Sequence, residues 1–332
     1  MSLHGRTAAV FGCEGTVLGA SEAAFFAETQ PFGFIIFARN VDTPDQLRRL
    51  TGDLRSAVGR DLPIFVDQEG GRVQRLRAPH WREWTPPLDF VRAAGRNAAR
   101  AMELRYRLIA RDLRAVGITG NCAPTADLAG PKTHPFLQNR CYGSDPAQVA
   151  KLSLAVARGL MAEGVWPVMK HLPGHGRSEN DTHLDLPTVT ASRDSLLASD
   201  FAPFRALAHL PFAMTAHIVF TAYDSLPATQ SPAMIRAIRD EIGFAGLLMT
   251  DDLNMQALSG TLYDRTERSM AAGCDLALHC KGDLAEMQSV AKAAGDLRPD
   301  TIARADRVMR PLAVSDHLDT AALDADLQSL MI

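Results

Sequence analysis

The segment from Lys170 to Pro187 reads KHLPGHGRSENDTHLDLP and gathers His171, His175, His183, Glu179, Asp181 and Asp185. Side chains of these types can pass protons, ligate a metal or hydrogen-bond sugar hydroxyls, and each is costly to desolvate. The apolar run before it, Gly164 to Met169 (GVWPVM), predicts a short buried strand, so the polar groups mass just past a strand end, where catalytic loops sit. The pattern recurs along the chain. Pro63 to Val66 leads into Asp67-Gln68-Glu69-Gly70-Gly71-Arg72, with Arg75 further on, and Ile118 to Cys122 leads into Ala123-Pro124-Thr125-Ala126-Asp127. Phe212 to Ala216 is followed by His217, Gly246 to Met249 by Asp251-Asp252, and Cys274 to Leu278 by His279. Any one of these acids could simply cap the next helix. Capping does not account for six successive strand ends.

No serine occupies a GxSxG elbow, and no cysteine is flanked by charge that would make it a thiolate. Two chemistries survive. Glycosidic cleavage needs one carboxylate as nucleophile and a second titratable group as acid and then base. A metal-dependent hydrolase needs several His and Asp ligands and an open position for water, for which His171, His183, His217, His279 and Asp251 are candidates. The first strand ends in Phe11-Gly12-Cys13 with no His-x-His pair, and Lys170 and Arg75 would bring positive charge toward a cation. No metal and no cofactor are therefore expected.

The elements that must position these residues alternate regularly. Ala8 to Gly12 and Gly33 to Phe37, with the runs named above, make eight continuous apolar stretches, the appearance of parallel strands covered on both faces. Asp42 to Val58 predicts a helix opened by Thr43-Pro44, and Ala93 to Val116 another, with Leu104, Leu108, Leu113 and Val116 as its apolar stripe. Asp145-Pro146 and Ser231-Pro232 open two more, ending at Gly164 and Gly243. Eight such βα units most simply close into a (β/α)8 TIM-type barrel, read here as one catalytic domain over residues 1–332 with a tail from about 314 to 332. A doubly wound sheet would favour a GxGxxG turn after the first strand, of which Gly12-Cys13-Glu14-Gly15 is only a faint version.

The 332 residues are 46% hydrophobic and 22% charged, ample for a large core, and the formal net charge of -3 gives no reason to expect nucleic acid or an anionic membrane as partner. Five cysteines without a CxxC pair fit a reducing compartment. The N-terminus lacks a signal-peptide pattern and no run approaches ~18 apolar residues, so the expected location is cytoplasmic. Oligomeric state is not legible, and a monomer is compatible with the sequence.

FVDQEGGRVQRLR (Phe65 to Arg77), KHLPGHG (Lys170 to Gly176), DTH (Asp181 to His183) and MTDDLNMQAL (Met249 to Leu258) together resemble the family 3 glycoside hydrolases, and within them the bacterial single-domain β-N-acetylhexosaminidases of cell-wall recycling. The similarity runs from about Gly33 to Leu278 with all motifs in order. It implies a barrel with its active site at the strand C-termini and a retaining, two-step mechanism. Neighbouring residues of a strand point to opposite faces, so Asp251 and Asp252 cannot both aim at the barrel mouth. The sequence alone does not choose between them; the family match selects Asp251 as nucleophile. Two-domain family members bring the acid/base from a second domain, and eight βα units leave no room for one. The resemblance points instead to His183, with Asp181 two residues earlier to fix its tautomer.

By the same match Asp67, Arg75, Arg140, Lys170 and His171 are substrate-contacting positions. Each has a plainer alternative: Asp67 and Arg75 as a mere ion pair, Arg140 as a surface residue. His175 is expected to shape its loop, and His217 is left open between support and sugar contact. The 174–185 loop is expected to close over sugar, and the amides of Gln68 and Asn254 to favour a 2-acetamido group. The implied substrate is a small sugar: terminal β-linked N-acetylglucosamine on muropeptide fragments carrying 1,6-anhydro-N-acetylmuramic acid. Alternatives are a β-glucosidase of the same fold, a metal hydrolase, and a non-catalytic sugar-binding barrel, which should lack the nucleophile or the acid.

Overall fold

The computed structural model describes residues 4–131, 133–178, 186–312, 314 and 319–331. Eight parallel strands form its centre: β1 (Thr7–Phe11), β2 (Pro31–Ile36), β3 (Ile64–Val66), β4 (Gly120–Asn121), β5 (Trp166–Leu172), β6 (Phe212–Thr215), β7 (Leu247–Met249) and β8 (Ala277–His279). They neighbour one another in chain order, and β1 returns to β8 with Ala9 opposite Ala277 and Val10 opposite Leu278. Between β7 and β8 the wall is completed by a bridge from Met249 to Leu276, with the Leu276 N–H donating to the Leu248 carbonyl and the Thr250 N–H to that of Leu276. The fold is thus the (β/α)8 barrel that the alternation predicts, and all eight expected runs are strands.

Parallel strands this short hold because both faces are covered. Inside, Phe212 takes the ring of Phe65 edge-on at 5.3 Å and those of Phe32 and Trp166 at 6.3 Å. Gly120 lies directly against the Phe65 ring, and any side chain there would displace it. Outside, helices begin where the sequence signals them. Thr43, Asp145 and Ser231 each accept the backbone N–H three residues ahead, and a proline follows each. The expected helix from Ala93 to Val116 is instead two, Pro87–Ala94 and Ala98–Ala115, separated by a 3-10 turn. Gly95 sits at the break with φ +52°, a conformation that costs glycine little.

Two small additions cap the C-terminal end of the barrel. After β3 the chain folds into an antiparallel hairpin, Gln68–Gly70 with Val73–Gln74, and Thr188–Val189 pairs in parallel with Val219–Phe220. The tail contributes a helix, Thr320–Ser329, which buries Leu323 and Leu327 and ties to the segment that follows the hairpin through an Asp324–Arg82 ion pair at 2.7 Å. Among the described residues no helix is long and apolar enough to cross a membrane.

Candidate active site

A cleft of about 840 Å³, counting its open mouth, lies at the C-terminal end of the barrel. Its walls include Asp67, Arg75, Arg140, Lys170, His171 and Asp251, together with Asp252, His175, and apolar side chains such as Phe37, Phe136 and Met214. All six of those expected site residues therefore meet in one place. Asp181 and His183 lie outside the described residues, as does most of the loop expected to close. Up to Ser178 that loop is tied down: the His134 N–H donates to the Ser178 carbonyl at 3.0 Å, and the Thr133 hydroxyl to that of Gly176.

Asp67 is the first residue past β3. The hairpin behind it returns Arg75 to within 3.0 Å of the Asp67 carboxylate, and the clamp is Gln68. The Gln68 amide oxygen accepts the N–H groups of Arg75 and Leu76, its Nε2 donates to the Leu76 carbonyl, and its own backbone exchanges two 3.0 Å bonds with the side chain of Asn121 on β4. The amide expected to favour an acetamido group is thus consumed in building the site. Asn254 likewise donates its amide to His279 Nδ1 at 3.1 Å and does not line the cleft.

Lys170 and His171 lie near the end of β5, joined by a cis peptide bond. The Lys170 ammonium lies 2.7 Å from Asp67 and 2.6 Å from Glu69, and Glu69 in turn takes Arg140 in a fork, from Nε at 2.9 Å and Nη2 at 2.8 Å. The pairing of Asp67 with Arg75 is real, and the cleft uses it; Arg140 is buried rather than a surface residue. Burial works to neutralise Asp67 and Glu69, but Lys170, Arg75 and Arg140 outweigh it and hold both acids below their ordinary range. The same carboxylates, against the effect of burial, hold the Lys170 ammonium charged.

Behind His171 stands Asp127, from the loop after β4. It accepts the Nδ1–H of His171 and the backbone N–H of His175, each at 2.7 Å, and is fully buried. Burial pushes the His175 imidazole down to about 4, so it is neutral at pH 7, tilted against the His171 ring. That fits a residue shaping its loop.

Asp251 follows β7 by two residues, in a bend where strand alternation no longer holds, so Asp251 and Asp252 both line the cleft, contrary to the expectation that only one could. Thr250, between β7 and Asp251, fastens the segment by accepting the Leu278 N–H on its hydroxyl. Partial burial works to neutralise the Asp251 carboxyl, yet His171, His217, the Asp252 N–H at 2.8 Å and Lys170 prevail, and it is held ionised. Asp252 differs: burial and the Asp251 charge push it up to about 6, against the Asn254 and Cys280 N–H groups its Oδ1 accepts. His217 is buried, with Nε2 at 3.1 Å from the Asp252 carbonyl and Nδ1 at 2.8 Å from the Thr229 hydroxyl. It supports the turn that carries both acids and does not line the cleft.

Glu69, which unites Arg140 and Lys170, was not among the expected site residues. Its signal was the period of two in Asp67-Gln68-Glu69, which puts both acids on one face of an extended segment. Among the described residues no group of three or more His, Cys, Asp or Glu side chains is arranged to hold a metal ion.

An ionised acid in a cleft lined with fixed donors and acceptors suits reactions at the anomeric carbon of a sugar. Comparison with known proteins agrees. Residues 19–311 match the family model described as the glycosyl hydrolase family 3 N terminal domain. A β-hexosaminidase of Alkalilimnicola ehrlichii is 38% identical over 279 residues, 82% of this chain and 80% of the relative. One of Pseudomonas aeruginosa is 37% identical over 270 residues, 80% of each. Among solved structures, native NagZ from Neisseria gonorrhoeae superposes with a TM-score of 0.85 at 29% identity, covering 98% of this chain and 96% of that one. A family 3 β-N-acetylglucosaminidase from Paenibacillus gives the same TM-score and identity over 97% of this chain, which spans only 66% of that enzyme's length. The chain belongs to glycosyl hydrolase family 3.

Proposed function

We propose that the protein is an exo-acting, retaining β-N-acetylglucosaminidase that removes terminal β-linked N-acetylglucosamine from muropeptide fragments in the cytoplasm, without metal or cofactor. The observation that carries this reading is Asp251, held ionised in the wall of a cleft whose other walls supply Asp67, Lys170 and His171. A retaining glycosidase needs that charge state in its nucleophile. The names of the relatives, β-hexosaminidases and a β-N-acetylglucosaminidase, support the choice of sugar.

In the first step the Asp251 carboxylate attacks the anomeric carbon while protonated His183 gives its proton to the departing glycosidic oxygen, with Asp181 holding the imidazole in the required tautomer. In the second, His183 takes a proton from water, which attacks the glycosyl ester and frees Asp251. Asp67, Lys170, Arg75, Arg140 and His171 bind the ring hydroxyls.

The test compares rates on nitrophenyl N-acetyl-β-glucosaminide and nitrophenyl β-glucoside, with and without chelator. Preference for the acetamido sugar that survives chelation supports the reading; preference for the glucoside, or loss of activity on chelation, overturns it. Asp251→Ala should abolish turnover with folding intact. His183→Ala should slow hydrolysis strongly, yet let substrates with good leaving groups form the covalent intermediate; equal loss in both steps on all substrates would remove His183 from the acid/base role.

A further inference from the structure

We propose that Glu69 is a positioning residue for sugar binding, acting through Arg140 and Lys170; this rests on the reading that the cleft binds a sugar. Glu69 does not line the cleft, and its side chain is 1% exposed. It nevertheless decides what two cleft residues can offer. A guanidinium has five N–H groups in a fixed plane, and an ammonium has three. Glu69 engages Nε and Nη2 of Arg140, which fixes the plane of the guanidinium and leaves Nη1 without a hydrogen bond to any described residue. It also lies 2.6 Å from the Lys170 ammonium as an ion pair, while Asp67 accepts a hydrogen bond from that ammonium at 2.7 Å, so the two carboxylates together fix where its charge sits.

Glu69 is itself held from behind. Its backbone carbonyl accepts Nη2 of the fully buried Arg105 at 2.7 Å, and the same nitrogen donates to the Thr85 carbonyl at 2.8 Å. The Arg105 guanidinium lies 4.5 Å from the Phe90 ring centre and 5.3 Å from that of Trp84. Gly70, at φ +112°, has no room for a side chain beside Arg105. A carboxylate braced in this way is a fixed anvil for two cations. A neutral amide in its place offers one acceptor where two are used, and adds a donor facing cations.

The experiment measures kcat and KM of Glu69→Gln on nitrophenyl N-acetyl-β-glucosaminide, together with its melting temperature and the same change in an Arg140→Ala background. Misaligned donors weaken ground state and transition state alike, so KM should rise about tenfold or more with kcat within about threefold. A purely structural role would leave fewer active molecules, lowering kcat at unchanged KM. In the Arg140→Ala background the further rise in KM should shrink to less than half that seen alone, because the main partner is already gone. Glu69→Asp keeps the charge but shortens the reach and should also raise KM. Unchanged KM in both variants, full additivity with Arg140→Ala, or recovery of both only as unfolded chain overturns the proposal. A wild-type chain that cleaves neither glycoside overturns the functional reading instead, and this one with it.

Discussion

Replacing Lys170 by methionine removes a charge while keeping most of the side chain's length. Lys170 is 2% exposed and sits between Asp67 at 2.7 Å and Glu69 at 2.6 Å. Taking one partner from a buried ion pair costs about 3–5 kcal/mol, because the remaining charge is left without compensation. Here each carboxylate keeps a second cation, Arg75 at 3.0 Å for Asp67 and Arg140 at 2.8 Å for Glu69. The expected loss is therefore at the low end, about 3 kcal/mol at pH 7, read by urea unfolding through Trp81, Trp84 and Trp166. The pH dependence gives a second, independent readout. Both acids have folded-state pKa values below their unfolded ones, Glu69 near about 2, so their stabilisation is complete above the unfolded values and is lost as pH falls through the folded ones. Without Lys170 the folded values rise, and acid unfolding of the variant should begin at higher pH than that of wild type. A loss below about 1 kcal/mol, the scale of an exposed pair, with an unchanged acid midpoint would refute the claim that this lysine is the electrostatic keystone of the cleft.

Asp127→Asn should lower kcat/KM about 10- to 100-fold, the value of one charge-assisted hydrogen bond of about 1.5–3 kcal/mol. The amide would meet the Nδ1–H of His171 with a donor, and steady-state kinetics with circular dichroism as folding control would show it. At the other end of the barrel, Asp275 is buried and accepts Arg239 at 2.7 Å, Arg304 at 2.9 Å, the Leu248 N–H and the Thr301 hydroxyl. Asp275→Asn should cost about 2–3 kcal/mol, less than a fully buried pair because both arginines reach water, while kcat and KM stay at wild-type values; a change in KM would contradict its distance from the cleft.

What could be read from the sequence follows from which physical signals are local. Continuous apolar runs, N-caps and prolines act within a few residues, so all eight strands and the helix starts at Pro44, Pro146 and Pro232 were visible. The break at Gly95 was not, because a single glycine within a helical pattern does not by itself end it, and only the 3-10 turn reveals it. The strand-end rule found the acids and bases but could not order them by depth. Asp67, Lys170, His171, Asp251 and Asp252 face the cleft, whereas Asp127, His217 and His279 stand behind it. That difference depends on partners far away in the chain: 44 residues separate Asp127 from His171, and 71 separate Glu69 from Arg140. Gln68 shows the same limit, since its amide looks free to bind a ligand until the hairpin folds back onto it.

The arrangement of charge around the cleft also bears on the kind of ligand it suits. Four acids, Asp67, Glu69, Asp127 and Asp251, face three fixed cations, Arg75, Arg140 and Lys170, with the His171 ring hydrogen-bonded to Asp127, so no large charge of either sign is left over. Each acid is held by partners within the protein, and a ligand needs to bring no counter-ion. Such a surface gains little from a strongly charged molecule, which would lose its hydration and find its opposite charges already paired. A neutral ring with hydroxyls at fixed angles loses far less on leaving water and meets donors and acceptors whose directions are already set. The same electrostatics keeps Asp251 ionised, and in the proposed reaction, as positive charge grows on the anomeric carbon in the transition state, that fixed carboxylate would stabilise it more than the neutral ground state. On the proposed function, neutral sugar recognition and cleavage at the anomeric centre thus draw on one property of the site, charges fixed by one another before the substrate arrives.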